Sequence, residues 1–356
     1  MGVVSGAGKA ALLAGVLGFI AAGLLASTIT LGVLYDRVKG ESNAQKHLLG
    51  SKPSTSVVGT NNPCADAKKK LDLKNTQCIV DAVENNSGPQ AGADVSVGYK
   101  GLMEVDTDPN TDSYFKQKLC PVNVHWHLGA EHRSNGEFDE NGSGPTDIKH
   151  RRKLAGKIRE GMLCHHYNKE QDMYTKEYDW KYCKDMEVGQ TYEVHWPHST
   201  LGQCGSPWQY QTPFYDGVLC NFNSDVAAGL EDETIKLPDH VGVQGQIFTV
   251  VNDESYYFPN LINGMIVDGV MGKDITSYYG STTGTSRTNE ICSNYSPITW
   301  KVDRKCHLIS ASSFDKMCAD MMSMAADMTD DLHPHGSREL VADKLSANNQ
   351  VGNLRE

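Results

Sequence analysis

In the stretch Cys120-Pro-Val-Asn-Val-His-Trp-His127, polar and imidazole side chains alternate with Val and Trp. A period of two reads as a β-strand, with Asn123, His125 and His127 on one face and Val122, Val124 and Trp126 on the other. Thr191-Tyr-Glu-Val-His-Trp196 repeats the arrangement, setting Glu193 and His195 opposite Tyr192, Val194 and Trp196. Two histidines two residues apart on one strand face can reach a single metal ion. If the two strands are neighbours, His195 supplies a third donor and Glu193 a carboxylate partner for an imidazole N–H. Three neutral histidines with no anionic donor suit hydrolytic chemistry on zinc. The ion keeps its full charge, one tetrahedral position stays open, and bound water ionises near pH 7. The Cys or Met that a soft-metal or redox copper site would use is absent from the pattern.

Outward from these segments, Gly245-Gln-Ile-Phe-Thr-Val-Val251 and Pro297-Ile-Thr-Trp-Lys-Val302 show the same β-branched and aromatic enrichment, so strands dominate. Helical patterns are few, at residues 148–163 and 313–324. A chain of 356 residues fits one large or two small domains. Between residues 63 and 347 neither a repeat nor a second linker interrupts it, which reads as one domain. Residues 133–190, highly charged around His150-Arg-Arg-Lys153, read as a solvated insertion, and 348–356 as a frayed tail. An apolar fraction of 39% plus 34 Gly excludes global disorder. The 33 Lys and Arg against 44 Asp and Glu leave a net charge of −11, which argues against a nucleic-acid partner.

Residues 10–35 contain no charged side chain. As a helix this run is about 39 Å long, enough to cross a hydrocarbon core of ~30 Å. It reads as a transmembrane or signal anchor after a short tail, 1–9, and before a polar linker, 36–62. A cleaved signal peptide is the rival reading, although its apolar region is normally ~7–15 residues. All ten Cys lie beyond this run and none forms a CxxC pair. An even, widely spaced set points to several disulfides in an oxidising compartment. Asn85, Asn141 and Asn294 each begin an Asn-x-Ser sequon and are glycosylation candidates. These features place a membrane-anchored domain outside the cell or in an oxidising lumen. The alternatives are a plastid-associated membrane and secretion after signal cleavage.

His125-x-His127, Glu131-His132 and Glu193-Val194-His195-Trp196 resemble the zinc-site signatures of carbonic anhydrases. The longer run Cys120-Pro-Val-Asn-Val-His-Trp-His-Leu-Gly-Ala-Glu-His132 is similar to the delta class of marine algae, while the site elements are those of the alpha class. Tyr279-Gly-Ser-Thr-Thr-Gly284, with Ile298-Thr-Trp300-Lys-Val302, resembles the alpha-class segment that carries a threonine orienting the zinc hydroxide. Val243-Gln-Gly-Gln-Ile-Phe248 resembles the pocket-lining strand, and residues 334–338 the closing segment.

The resemblance implies a mainly β, alpha-carbonic-anhydrase-like single domain, built on a large, mostly antiparallel twisted sheet with a few short helices. It implies one zinc per chain on His125, His127 and His195, replaceable by cobalt or cadmium. Asn123 and Glu193 would support His125 and His195, and Glu131 would accept a hydrogen bond from the orienting threonine. Counting from Gly280 favours Thr283 over Thr282 for that role. Val243, Trp300 and Pro197 would line the CO2 pocket, and His132 and His198 would be buried and structural. The chain departs from the alpha class in the long gap between Glu131 and Glu193 and in a threonine loop without paired prolines. No residue matches a proton-shuttling rim histidine; His165 and His166 qualify only by the ordinary pKa of their side chains. The implied activity is the reversible hydration of CO2 to bicarbonate and a proton. Two other readings compete: an inactive membrane-tethered binding module on the same scaffold, and another His-ligated metalloenzyme such as a cupin-like iron oxygenase, which typically adds a carboxylate ligand.

Overall fold

Strand Thr191–Ser199 has apolar side chains on one face and polar ones on the other, yet it is buried along its whole length. It lies near the centre of a sheet covered on both sides. A computed structural model describes residues 61–67, 92–145, 158–281, 298–324 and 328–352, all within one compact unit that runs from Asn61. Its strands are β1 (Cys120–Pro121), β2 (His125–Leu128), β3 (Phe138–Asp139), β4 (Leu163–Cys164), β5 (Thr191–Ser199), β6 (Val241–Val251), β7 (Ile275–Gly280), β8 (Ile298–Ser310), β9 (His335–Gly336) and β10 (Val351–Gly352). The helices are short: α1 (Asp172–Thr175), α2 (Phe214–Val218), α3 (Ser224–Glu231), α4 (Leu237–His240) and α5 (Ala311–Met322).

Eight strands form one sheet in the order β10-β7-β8-β6-β5-β2-β9, with β1 also on β5; β3 and β4 form a separate hairpin. The sheet is mixed. Most neighbours pair antiparallel, as expected from the sequence, but β6 and β8 run parallel at its centre and β2 and β9 at one edge.

Alternation along the central strands gives the sheet two distinct faces. The back face carries Trp126, Val194, Trp196 and Phe248, packed with Phe314 of α5; the Trp126 and Phe314 rings meet edge to face at 5.8 Å. Ser310 caps α5 by accepting a hydrogen bond from the Ser313 amide. The front face carries the histidines together with Val243, Ile247, Tyr278, Trp300 and Val302. Glycine inside a strand marks a close approach, and β6 has two. A Cβ on Gly242 would collide with the Tyr114 ring, and one on Gly245 would press on the Glu193 carboxylate at 3.2 Å.

Several expectations change. Among the described residues of 133–190, Phe138, Cys164, Tyr174, Cys183, Met186 and Val188 are buried, so the segment is not solvated throughout. These side chains join the core, and Asp139 is buried with them. Asp315 of α5 anchors the segment by accepting from the backbone amides of Lys181, Tyr182 and Cys183. The expected 148–163 helix does not cover 158–163, which ends in β4 instead; the rest of its span, 148–157, lies outside the described residues. Residues 348–352 of the expected frayed tail are held in place: β10 pairs with β7 as the edge strand, and Asn349 and Gln350 donate to Thr107 and Asp94 carbonyls. The 10–35 run, Asn85, Asn294, Thr282 and Thr283 lie outside the described residues. Among the described residues no helix is long and apolar enough to cross a membrane.

Four disulfides join Cys64 to Cys220, Cys120 to Cys204, Cys164 to Cys306 and Cys183 to Cys318. They place the domain in an oxidising extracellular or lumenal compartment. Cys78 and Cys292 lie outside the described residues. Each bridge closes a long loop, 84 to 156 residues in sequence separation, so each restricts the unfolded chain strongly. Replacing both Cys183 and Cys318 by Ser is expected to lower stability by about 2–5 kcal/mol, read as a lower urea midpoint, with a steeper slope because the unlinked denatured chain exposes more surface.

Candidate metal centre

The β2–β5 register sets His125 opposite His195 and His127 opposite Glu193, so all four side chains share the front face. Ligand atoms of His125, His127 and His195 lie within 4.8 Å of one another, and all three rings are buried.

The partners behind each ring determine its tautomer. His125 Nδ1 lies 2.9 Å from Asn123 Oδ1. The Asn123 amide is itself oriented, because its Nδ2 donates to Gln211 O at 2.9 Å and Asp331 Oδ2 at 3.0 Å. His125 therefore carries its proton on Nδ1. His127 Nδ1 faces Gly336 O at 3.2 Å and Glu131 Oε1 at 3.2 Å, both acceptors, so its proton also sits on Nδ1. Its Nε2 is buried with no hydrogen-bond partner among the described residues. His195 donates from Nε2 to Glu193 Oε1 at 2.8 Å, leaving a lone pair on Nδ1. An orphaned buried nitrogen among neutral imidazoles fits a bound cation.

Burial, then the neighbouring imidazoles, pushes His125 and His127 well below the ordinary histidine range. Burial pushes His195 the same way, but the Glu193 carboxylate prevails and raises it. Glu193 is fully buried. Burial would raise its carboxyl, yet His132 and His195 hold it well below the usual range. It accepts from the Glu131 amide at 2.6 Å, the His132 amide at 3.3 Å and His132 Nδ1 at 2.5 Å, as well as from His195. Behind it, His132 Nε2 meets the Tyr278 hydroxyl at 2.6 Å. His132, Glu193 and His195 also cluster closely enough to bind a metal, but hydrogen bonds among them and to Tyr278 occupy their ligand atoms. His198 is buried on Trp196 O at 2.7 Å, and burial pushes it down to about 4.

Glu131 Oε1 accepts from the Arg338 amide at 2.9 Å. Its Oε2 is buried without a partner among the described residues. Ser281, just before the threonine loop, is held by a 2.9 Å hydrogen bond from Trp300 Nε1 to its carbonyl. Pro197, Val243 and Trp300 form one row across β5, β6 and β8, next to His195, whose ring meets Trp300 edge to face at 5.0 Å. His165 and His166 are engaged elsewhere, His165 with Asp139 and His166 with the Cys306 carbonyl. Asn141 is exposed, in a turn closed by Asp139.

Two residues of the site escaped sequence reasoning. His335 stacks on His125 at 5.3 Å and 20°, and Asp331 contacts both His335 and Asn123. The trace in the sequence was Asp331-Leu-His-Pro-His335, which runs into the closing segment and places His335 within it.

The family model Delta carbonic anhydrase matches residues 116–313, more than half of the chain. No curated protein matches it.

If Glu193 holds His195 in its donor tautomer, Glu193→Gln should weaken metal binding by about 10–100-fold. Competition with a chromophoric chelator measures this, and near-ultraviolet dichroism reports whether the fold is retained.

Proposed function

The chain belongs to the delta carbonic anhydrase family, and from that premise we propose that it catalyses the reversible hydration of CO2 to bicarbonate and a proton on a single zinc ion. The observation that carries the reading is the set of three buried imidazoles whose ligand atoms lie within 4.8 Å of one another, with His127 Nε2 orphaned among the described residues. Zinc fits a site with three nitrogen donors and no thiolate, and cobalt or cadmium would substitute in it. When bound, zinc supplies the Lewis acidity that brings water ionisation near pH 7, a value known for carbonic anhydrases in general.

In this reading His125, His127 and His195 bind the metal, and Asn123, the Gly336 carbonyl and Glu193 keep each ring in its donor tautomer. The row of Pro197, Val243 and Trp300 offers CO2 an apolar wall that does not compete for hydrogen bonds. Glu131 Oε2 is the acceptor for a hydroxyl from the threonine loop. We assign that hydroxyl to Thr283, which would orient the attacking oxygen, a positioning effect. Each turnover also releases one proton to solvent.

Both rival activities fit less well. An iron oxygenase would need a carboxylate ligand; of the two described carboxylates beside the rings, Glu193 is engaged in hydrogen bonds and Glu131 lies on the Nδ1 side of His127, away from its free Nε2. An inactive binding module would have no use for a complete donor set, and it would reveal itself by binding zinc without hydrating CO2. We further propose that residues 10–35 anchor the protein in a membrane; release by alkaline carbonate would refute this.

Metal analysis with stopped-flow CO2 hydration tests the activity, with one zinc per chain and rapid turnover expected. Thr283→Ala should remove a hydrogen bond to an ionised partner, about 2–3 kcal/mol, slowing hydration roughly 30–150-fold while zinc stays bound. Glu131→Gln should behave alike and Thr282→Ala much more mildly. A crippled Thr282→Ala enzyme would move the role to Thr282.

A further inference from the structure

Asp331 ends the 3-10 turn Thr329–Asp331 and is 8% exposed. Its Oδ2 accepts from Asn123 Nδ2 at 3.0 Å and from Thr212 Oγ1 at 3.3 Å. Its Oδ1 lies 3.1 Å from His335 Nε2. One carboxylate therefore reaches the His125 ring by two routes, through the Asn123 amide and through the His335 ring stacked upon it. We propose that Asp331 is a positioning residue of the metal centre: it locks the Asn123 amide so that His125 keeps its proton on Nδ1, and it holds His335 over the His125 ring.

The two ends of an Asn side chain are nearly identical in shape, so only their partners decide which end faces His125. Here the NH2 end meets two groups that can only accept, the Gln211 carbonyl and the Asp331 carboxylate. Flipping the amide would turn its oxygen toward both acceptors and its NH2 toward His125 Nδ1. The imidazole would then place its proton on Nε2, the nitrogen needed for the metal. The carboxylate is the stronger of the two locks because its hydrogen bond is charge-assisted. The same carboxylate accepts from His335, which is only partly buried and makes no other side-chain hydrogen bond among the described residues to fix its ring plane.

This inference rests on the reading of His125 as a metal ligand, and the test separates the two. Asp331→Leu removes both acceptor oxygens while keeping the branch at Cγ, and Asp331→Asn retains one acceptor at nearly the same volume. The tautomer of His125 is read from long-range 15N–1H correlations in metal-free protein, so that readout needs no metal. Affinity for cobalt and its visible spectrum are read on the full chain. Asp331→Leu should turn a single Nδ1–H tautomer into a mixture, weaken cobalt binding about tenfold, the lower end of the range for groups that orient ligands, and alter the cobalt spectrum. Asp331→Asn should do so less. In an Asn123→Ala background the further Asp331→Leu change should cost less cobalt affinity than it does alone, because only the route through His335 remains. An unchanged tautomer and spectrum in a merely less thermostable Asp331→Leu protein would overturn the proposal, as would additive effects in the double variant. If Asp331→Leu fails to fold, Asp331→Asn alone decides by the same tautomer criterion. Wild-type protein that binds no cobalt would overturn the metal centre, leaving the tautomer measurement to judge Asp331.

Discussion

Glu193, a fully buried carboxylate between two imidazoles, is the constraint around which the rest of the front face is arranged. A buried charge left unpaired costs several kcal/mol, and breaking such a pair costs about 3–5 kcal/mol. The fold meets this demand with two backbone amides and two imidazole nitrogens. Those donors come from β5 itself and from the segment just after β2, so satisfying the charge also ties the two strands together. Gly245 on β6 leaves room for the carboxylate. A slip of one residue would turn Glu193 to the apolar back face, where no donor waits. The register that places His125 opposite His195 is thus selected by electrostatics on the front and by Trp126, Val194 and Trp196 on the back.

Each histidine has a different acceptor behind it: a carboxamide, a backbone carbonyl and a carboxylate. All three leave the opposite ring nitrogen unprotonated. Burial and the neighbouring imidazoles leave His125 and His127 weakly basic, whereas the Glu193 carboxylate raises the basicity of His195. The three rings thus offer donors of unequal strength, each held by a hydrogen bond behind it. Further support comes from elsewhere: α5 packed on the back face, and long-range disulfides that tie the charged 158–190 region to β8 and α5.

Much of this was legible in the chain itself. The period-two pattern in 120–127 and 191–196 determined that Asn123, His125, His127, Glu193 and His195 would each sit on the polar face of a strand, because successive side chains in a strand must point to opposite sides. The cysteine spacing and number likewise pointed to disulfides without specifying the pairs. What local pattern could not convey was which strands are neighbours. The parallel β6–β8 pairing, the edge strand made from the expected tail, and the buried half of the charged insertion all depend on burial achieved across long stretches of chain. His335, Asp331, the Gly336 carbonyl and the Arg338 amide join the site from more than 200 residues away. Their roles come from partners brought close only by tertiary packing, and a backbone carbonyl or amide carries no mark of its role in the residue that bears it.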